Sequence, residues 1–146
     1  MELTVMLSCP EGATNCLHKL REVLDRVEQT GEAWPSVEQW GMLLPTWFVL
    51  ACAAPISSEE AEAWLQRWRQ MPESDRLQAE DAKPWSLADW LYWMEPGQSV
   101  WRWARATQHG PVDLEVVLSV EGVPAPLGAF RWLAKTAGAK DVTSDS

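Results

Sequence analysis

Two spacings of hydrophobic residues run along the chain, a period of two near its ends and a period of three to four between them. Segment 3–7, Leu-Thr-Val-Met-Leu, favours a strand. In segment 114–120 every even position is aliphatic, which is typical of a half-buried strand. Segment 100–107 is predicted to be its partner strand with odd positions on one face, although its alanines and arginines also suit a helix. The intervening residues 109–111, His-Gly-Pro, predict a hairpin turn.

Helical spacing begins after the first strand. The first helix is predicted to be capped by Thr14 and to end at Gly31. Its apolar residues follow the i, i+3, i+7 rhythm of one buried stripe: Leu17, Leu20, Leu24 and Val27.

Two capping boxes mark further helices. Ser36 with Gln39 opens an apolar segment that Pro45 is expected either to kink or to restart as a second helix. Ser57 with Glu60 opens another helix. The apolar face of that helix carries Ala61, Trp64, Leu65 and Trp68, and this face is predicted to pack in the core.

The remaining segments complete the predicted order of elements. Ser86 with Asp89 opens a short helix over 87–94, and Pro126 opens the last helix. The stripe of the last helix and its terminating glycine are Leu127, Phe130, Ala134, Ala137 and Gly138. Residues 72–84 are interpreted as a surface loop, and residues 141–146 as a flexible tail with a short strand near Val142 as the alternative.

This order predicts a single α+β domain over residues 1–146. A small, mainly antiparallel sheet would combine the N-terminal strand with the hairpin of the C-terminal half, and four to five helices would cover it. The length of 146 residues suits one domain with one core.

Charge then restricts the classes of partner that we expect, and cysteine usage indicates the cellular compartment. The chain has 21 Asp and Glu against 12 Lys and Arg, a formal net charge of −9. Such a field repels phosphate backbones and anionic membranes and attracts basic proteins, so we expect a basic protein partner and neither nucleic acid nor membrane. Three cysteines without a paired motif suit a reducing compartment, and we expect a cytoplasmic protein.

Residues that could support catalysis are few. His18 and His109 are the histidines that could act as bases, and Cys16 lies two positions from His18 on the predicted helix, so the two side chains point to different sides. The spacings typical of metal ligands and of phosphate-binding glycine loops do not occur in the chain. The sequence therefore predicts a protein that is not an enzyme and holds neither metal nor cofactor.

Tryptophan is the informative residue type. Each tryptophan buries on the order of 150–250 Å², and with eleven in the chain some are expected to stay partly exposed. Trp40, Trp47, Trp64, Trp68 and Trp132 lie in apolar helical segments and are assigned to the core.

Six aromatic residues form a denser cluster around Tyr92. The sequence leaves open whether this cluster belongs to the core or to an interface. Trp, Tyr and Arg are enriched at the energetic centres of interfaces. We therefore predict a partner-binding surface formed by Trp85, Asp89, Trp90, Trp93, Trp101, Arg102, Trp103 and Arg105.

These observations favour a non-catalytic binding protein that inhibits a protein partner, in the manner of a bacterial immunity protein or antitoxin. The alternative is a small-molecule or sugar-binding domain, or a small enzyme, with a tryptophan-lined pocket in which Asp89 or Arg102 is the polar anchor. A third hypothesis is a homodimer whose surplus aromatic residues bury one another.

Overall fold

A computed structural model of the chain describes residues 1–30, 33–52, 57–82, 84–122 and 125–144. These residues form seven helices and four strands, which confirms the predicted α+β fold, with more helices than the four to five expected. In chain order the elements are β1 (Glu2–Ser8), α1 (Ala13–Glu28), α2 (Val37–Leu43), α3 (Thr46–Ala51), α4 (Ser58–Gln70), α5 (Glu73–Ala82), α6 (Leu87–Met94), β2 (Trp101–Gln108), β3 (Asp113–Val120), α7 (Gly128–Thr136) and β4 (Asp141–Ser144).

The strands form one sheet in the order β2-β3-β1-β4, and every neighbouring pair is antiparallel. β1 and β3 pair along their length and set Val5 opposite Val116 and Leu7 opposite Leu114. These four side chains are buried and form the core face of the sheet. The predicted first strand, the hairpin and the even-numbered aliphatic face of β3 are confirmed.

Strand β2 departs from the predicted alternation. Trp101 and Trp103 lie opposite Val120 and Leu118, on the core face, but a bulge between Trp103 and Arg105 adds a residue to the strand. Beyond this bulge, Arg105 lies opposite Val117 on the other face. The prediction that the odd positions share one face is therefore wrong after residue 103, because an extra residue inverts the alternation.

Helices α1 and α7 cover the core face. α1 buries five residues, Ala13, Cys16, Leu20, Val23 and Leu24, and the predicted stripe residues Leu17 and Val27 pack at their edge. The capping prediction is wrong, because the helix begins after Gly12, and the Thr14 hydroxyl instead donates to Gln108 Oε1 of β2. Gly31 lies outside the described residues.

α7 matches its predicted stripe. Phe130 and Ala134 are buried within the helix, and Leu127 and Ala137 are buried at its two ends. Gly138 follows with a φ of +115°, a conformation that a terminating glycine adopts without steric cost.

A second layer of helices packs outside α7. The capping box of Ser36 and Gln39 is present at the start of α2, and the chain restarts at Pro45 as α3, which was one of the two predicted outcomes. Trp40, Phe48 and Trp90 are buried in this layer, and the rings of Phe48 and Trp90 meet edge to face at 4.7 Å between centroids. The core assignment of Trp40 is confirmed, whereas Trp47 and Trp132 are partly buried at the margin of the core.

Helices α4 and α5 correct two predictions. Residues 73–82 form α5 where a surface loop was expected over 72–84, because Pro72 starts the helix and acidic residues in its first turn favour it. Ser57 caps α4 as predicted, with its hydroxyl accepting a hydrogen bond from the backbone N–H of Glu60, but no residue of α4 is buried. Trp64 and Trp68 are half-buried and lie outside the core cluster, so assigning them to the core was wrong.

The C-terminal segment is also corrected. Residues 141–144 form β4, which pairs with β1, whereas a flexible tail was predicted for 141–146 and a short strand near Val142 was its alternative. A backbone hydrogen bond of 2.7 Å from Lys140 N to Ser8 O and one of 3.1 Å from the Arg131 guanidinium to Val142 O hold this strand in place. Residues 145 and 146 lie outside the described part.

Candidate functional site

A groove of about 550 Å³ opens where α4, α6, the start of β2 and the start of α7 meet. We call it the aromatic groove. Its lining consists of Trp64, Pro84, Trp85, Asp89, Tyr92, Trp93, Val100, Trp101, Pro126, Gly128 and Ala129.

One wall is the exposed side of α6. The Ser86 hydroxyl accepts a hydrogen bond of 3.2 Å from the backbone N–H of Asp89, as the capping pattern predicts. The helix then presents Asp89, Tyr92 and Trp93 to the groove and buries Trp90. Tyr92 and Trp93 are 52% and 39% exposed, and their rings meet at 5.5 Å in an edge-to-face arrangement.

The approach of Trp85 to the start of α7 requires a glycine. A Cβ atom at position 128 would lie 2.8 Å from Cζ2 of Trp85, closer than non-bonded carbon atoms approach, so the ring would have to shift. Close by, the buried indole N–H of Trp90 donates to Ala129 O at 3.0 Å and ties α6 to α7. The packing of Trp85 and the hydrogen bond of Trp90 thus fix the base of the groove.

The remaining indoles belong to β2 and α4. Trp101 is buried among the lining residues, and its ring stands edge to face on Phe130 at 5.4 Å. Trp64 lies on α4 and stacks with Trp68 at 6.5 Å between ring centroids. α4 contributes no buried residue, and it packs against α5.

The charge of the lining is negative. Among the described lining residues Asp89 is the one charged side chain, and it lies exposed in the first turn of α6. In the described part of the chain, three basic side chains lie on aromatic rings outside the groove, namely Lys19 on Trp47, Arg21 on Trp103 and Arg76 on Trp68. Aromatic faces and a single carboxylate therefore define its chemistry.

The structure brings four of the eight predicted partner-binding residues to the groove: Trp85, Asp89, Trp93 and Trp101. Trp90 is fully buried, and Trp103 lies on the core face of the sheet beneath the guanidinium of Arg21.

The other two predicted residues, Arg102 and Arg105, lie on the opposite face of the sheet. Arg105 pairs there with Glu2 at 2.9 Å. Its hydrogen bond and positive charge lower the pKa of the Glu2 carboxyl. The predicted surface is thus divided between two sides of the molecule.

Sequence reasoning missed several residues of the lining. Trp64 was assigned to the core because it lies on a regular apolar stripe, and the helical pattern does not show what faces that stripe. The prolines and Gly128 carry no chemical signature in a single sequence. Only the density of aromatic residues around Tyr92 could have indicated this position.

The nucleophilic side chains lie away from the groove. Cys9, directly after β1, and Cys16 of α1 are buried beside each other, and burial raises the pKa of both thiols. His109 lies at the hairpin turn, 3.4 Å from the Glu115 carboxylate. In the part of the chain that the structure describes, no three His, Cys, Asp or Glu residues are grouped as metal ligands would be, and no helix is long and apolar enough to span a membrane.

No protein-family model, curated protein or solved structure matches this chain.

Proposed function

We propose that the chain is a non-catalytic, cytoplasmic protein-binding domain whose aromatic groove receives a segment of a basic partner protein and thereby inhibits that partner, as an immunity protein or antitoxin does. The observation that supports this function best is the composition of the groove, in which exposed Tyr92 and Trp93 stand beside the carboxylate of Asp89.

Aromatic side chains of this kind are suited to recognition. Tyr and Trp offer large contact area at a small cost in conformational entropy, and they are enriched at the energetic centres of interfaces. Trp85 packs against the start of α7, and Trp93 belongs to α6, so both rings are already positioned in the groove before a partner binds. A pre-formed concave aromatic surface therefore supports tight binding.

The overall charge supports a basic partner. A net charge of −9 accelerates the encounter with a positively charged surface and makes that encounter sensitive to salt. Inhibition would follow if the segment held in the groove belongs to, or covers, the active site of the partner. Charge would then set the association rate and the buried rings the dissociation rate.

The test is capture of partners by the full chain from its own cells, compared between three proteins. The wild type is compared with the groove variant Asp89→Asn/Trp93→Ala and with Leu50→Ala, which removes a 78% exposed side chain of α3 outside the groove lining. A candidate partner is retained by the wild type and by Leu50→Ala and is lost with the groove variant.

The candidate is then purified and titrated against each protein by calorimetry. Central aromatic contacts cost about 2 kcal/mol or more when truncated, so the groove variant should bind at least about 30-fold more weakly. Leu50→Ala should bind within about threefold of the wild type. Equal affinity of the groove variant, or a partner whose activity is unchanged in the complex, would overturn the proposal.

A second function is favoured by the shape of the groove. Its volume of about 550 Å³ lies within the range of roughly 300–1,000 Å³ typical of small-molecule sites. The indole faces of Trp85 and Trp93 suit a sugar ring or an apolar ligand, with Asp89 as the polar anchor. A rise in melting temperature with a mono- or disaccharide, abolished by Trp93→Ala, would favour this alternative over a protein partner.

A further inference from the structure

We propose that the aromatic groove takes an arginine side chain of the partner, whose guanidinium lies on the indole faces and pairs with the carboxylate of Asp89. This inference rests on the proposed function, because it names the group through which that function recognises its partner.

The chain itself shows the preference of its partly exposed indoles. Outside the groove, three of them are covered by basic side chains of the same chain. Their distances from cation to ring centroid are 5.2 Å for Lys19 on Trp47, 5.2 Å for Arg21 on Trp103 and 4.9 Å for Arg76 on Trp68. Basic side chains thus lie on three of the five partly buried tryptophans that the structure describes outside the groove.

The groove differs from these places. Within the described ranges, no basic side chain of the chain lies over the rings of Trp85, Tyr92 or Trp93. The faces of these rings carry negative electrostatic potential, which attracts a cation. A cation supplied by another molecule would make the contact that the chain makes by itself elsewhere.

Asp89 supplies the complementary charge. It lies on the same exposed side of α6 as Tyr92 and Trp93. Its backbone N–H donates to the Ser86 hydroxyl at 3.2 Å, and its exposed carboxylate forms no ion pair with another residue in the described ranges. A carboxylate beside aromatic faces matches a guanidinium. This planar cation can stack on the rings, and it can donate two parallel hydrogen bonds to the carboxylate. Lysine, as a strongly hydrated point charge, fits less well.

The experiment uses the full chain and three tripeptides, acetyl-Gly-Arg-Gly-amide and its citrulline and lysine counterparts. Citrulline has the shape of arginine without its charge. Binding is followed by NMR on the indole N–H signals, assigned with Trp85→Phe and Trp93→Phe. We expect the arginine peptide to bind about tenfold more tightly than the citrulline peptide, and the lysine peptide to bind with intermediate affinity.

The matched control is an aspartate in the same helical position. Asp75 lies in the first turn of α5, as Asp89 lies in the first turn of α6, but Asp75 is not part of the lining. Asp89→Asn should reduce the arginine-to-citrulline ratio to about twofold or less, and Asp75→Asn should leave it unchanged. Equal binding of both peptides to the wild type, or an equal effect of the two substitutions, would overturn the inference.

The outcomes separate the inference from the proposed function. A groove-dependent protein partner with no preference for arginine would overturn the inference and leave the function standing. Binding of the arginine peptide with no groove-dependent partner would support the cation chemistry and overturn the function.

Discussion

Helices α1 and α4 carry the same kind of sequence pattern and have different structural roles. Both are amphipathic, with lengths of 16 and 13 residues, but α1 buries five side chains against the sheet and α4 buries none. The stripe of α4 instead points to α5 and to the aromatic groove, where Trp64 forms part of the lining. Amphipathic spacing therefore predicts the helix and its apolar face, but not whether protein or a ligand covers that face.

α1 and α4 also differ in the interactions that keep them in place. α1 and the sheet are stabilised by burial of close-packed aliphatic side chains. α4 is attached to α5 by Arg76, which stacks on Trp68 and donates hydrogen bonds to carbonyls at the end of α4. We expect α1 and the sheet to determine the global stability of the fold, and we expect α4 to open locally.

The largest expected effect is a loss of stability, and it is tested by making the same substitution in α1 and in α4. Leu20 of α1 is fully buried, so Leu20→Ala should lower the free energy of unfolding by about 2–5 kcal/mol. Leu65 of α4 is 36% exposed, and Leu65→Ala should cost less than about 1 kcal/mol. Urea denaturation measures both values, and similar losses would show that α4 belongs to the core.

A smaller effect is expected at the joint between α4 and α5. Arg76→Ala removes hydrogen bonds to the carbonyls of Trp68, Arg69 and Met71 and should cost about 1–2 kcal/mol. Hydrogen exchange should accelerate in residues 58–70 and stay unchanged in α1. Arg76→Lys keeps the charge without the planar fork, so it should restore less than half of the protection. Unchanged exchange in α4 would mean that other contacts hold this helix.

The contact between Trp85 and α7 can be tested with a pair of glycines. Gly128→Ala places a methyl group against the ring of Trp85 and should cost about 1 kcal/mol while changing the near-ultraviolet circular dichroism. Gly41 of α2 has open space around the same position, and Gly41→Ala should be neutral or stabilise by up to about 1 kcal/mol. Equal changes for both variants would contradict the close approach that shapes the groove.

The smallest effect concerns the open face of the sheet. Arg105 lowers the pKa of the Glu2 carboxyl, so the pair stabilises the fold above the ordinary pKa of glutamate and loses this contribution as pH falls through the lowered value. Between pH 6 and pH 3 the melting temperature of the wild type should therefore fall slightly more than that of Glu2→Gln. Identical slopes would mean that this exposed pair contributes nothing.

The sequence predicted elements whose signals are local. β3 was predicted from its strict alternation, α6 from the Ser86 cap and α7 from its stripe and terminal glycine. These features depend on neighbouring residues, which a single sequence displays in full. The β4 strand was the weaker alternative because four residues pair with β1 only through contacts distant in sequence.

Only part of the candidate site could be predicted, and the reason is geometric. Trp90 and Trp93 are three residues apart, so their side chains diverge by only about 60° around α6. That angle separates a fully buried residue that bonds to Ala129 from an exposed residue of the groove. Likewise, the bulge after Trp103 sends Arg105 to the far face. Neither division is visible without the tertiary structure.

The bulge in β2 also affects how the molecule can associate. β2 is one edge of the sheet, and an irregular edge that carries Arg102 and Arg105 is a poor template for another strand. The other edge, β4, has only four residues. Because both edges are poor templates for a further strand, we expect the sheet to resist growth into fibrils.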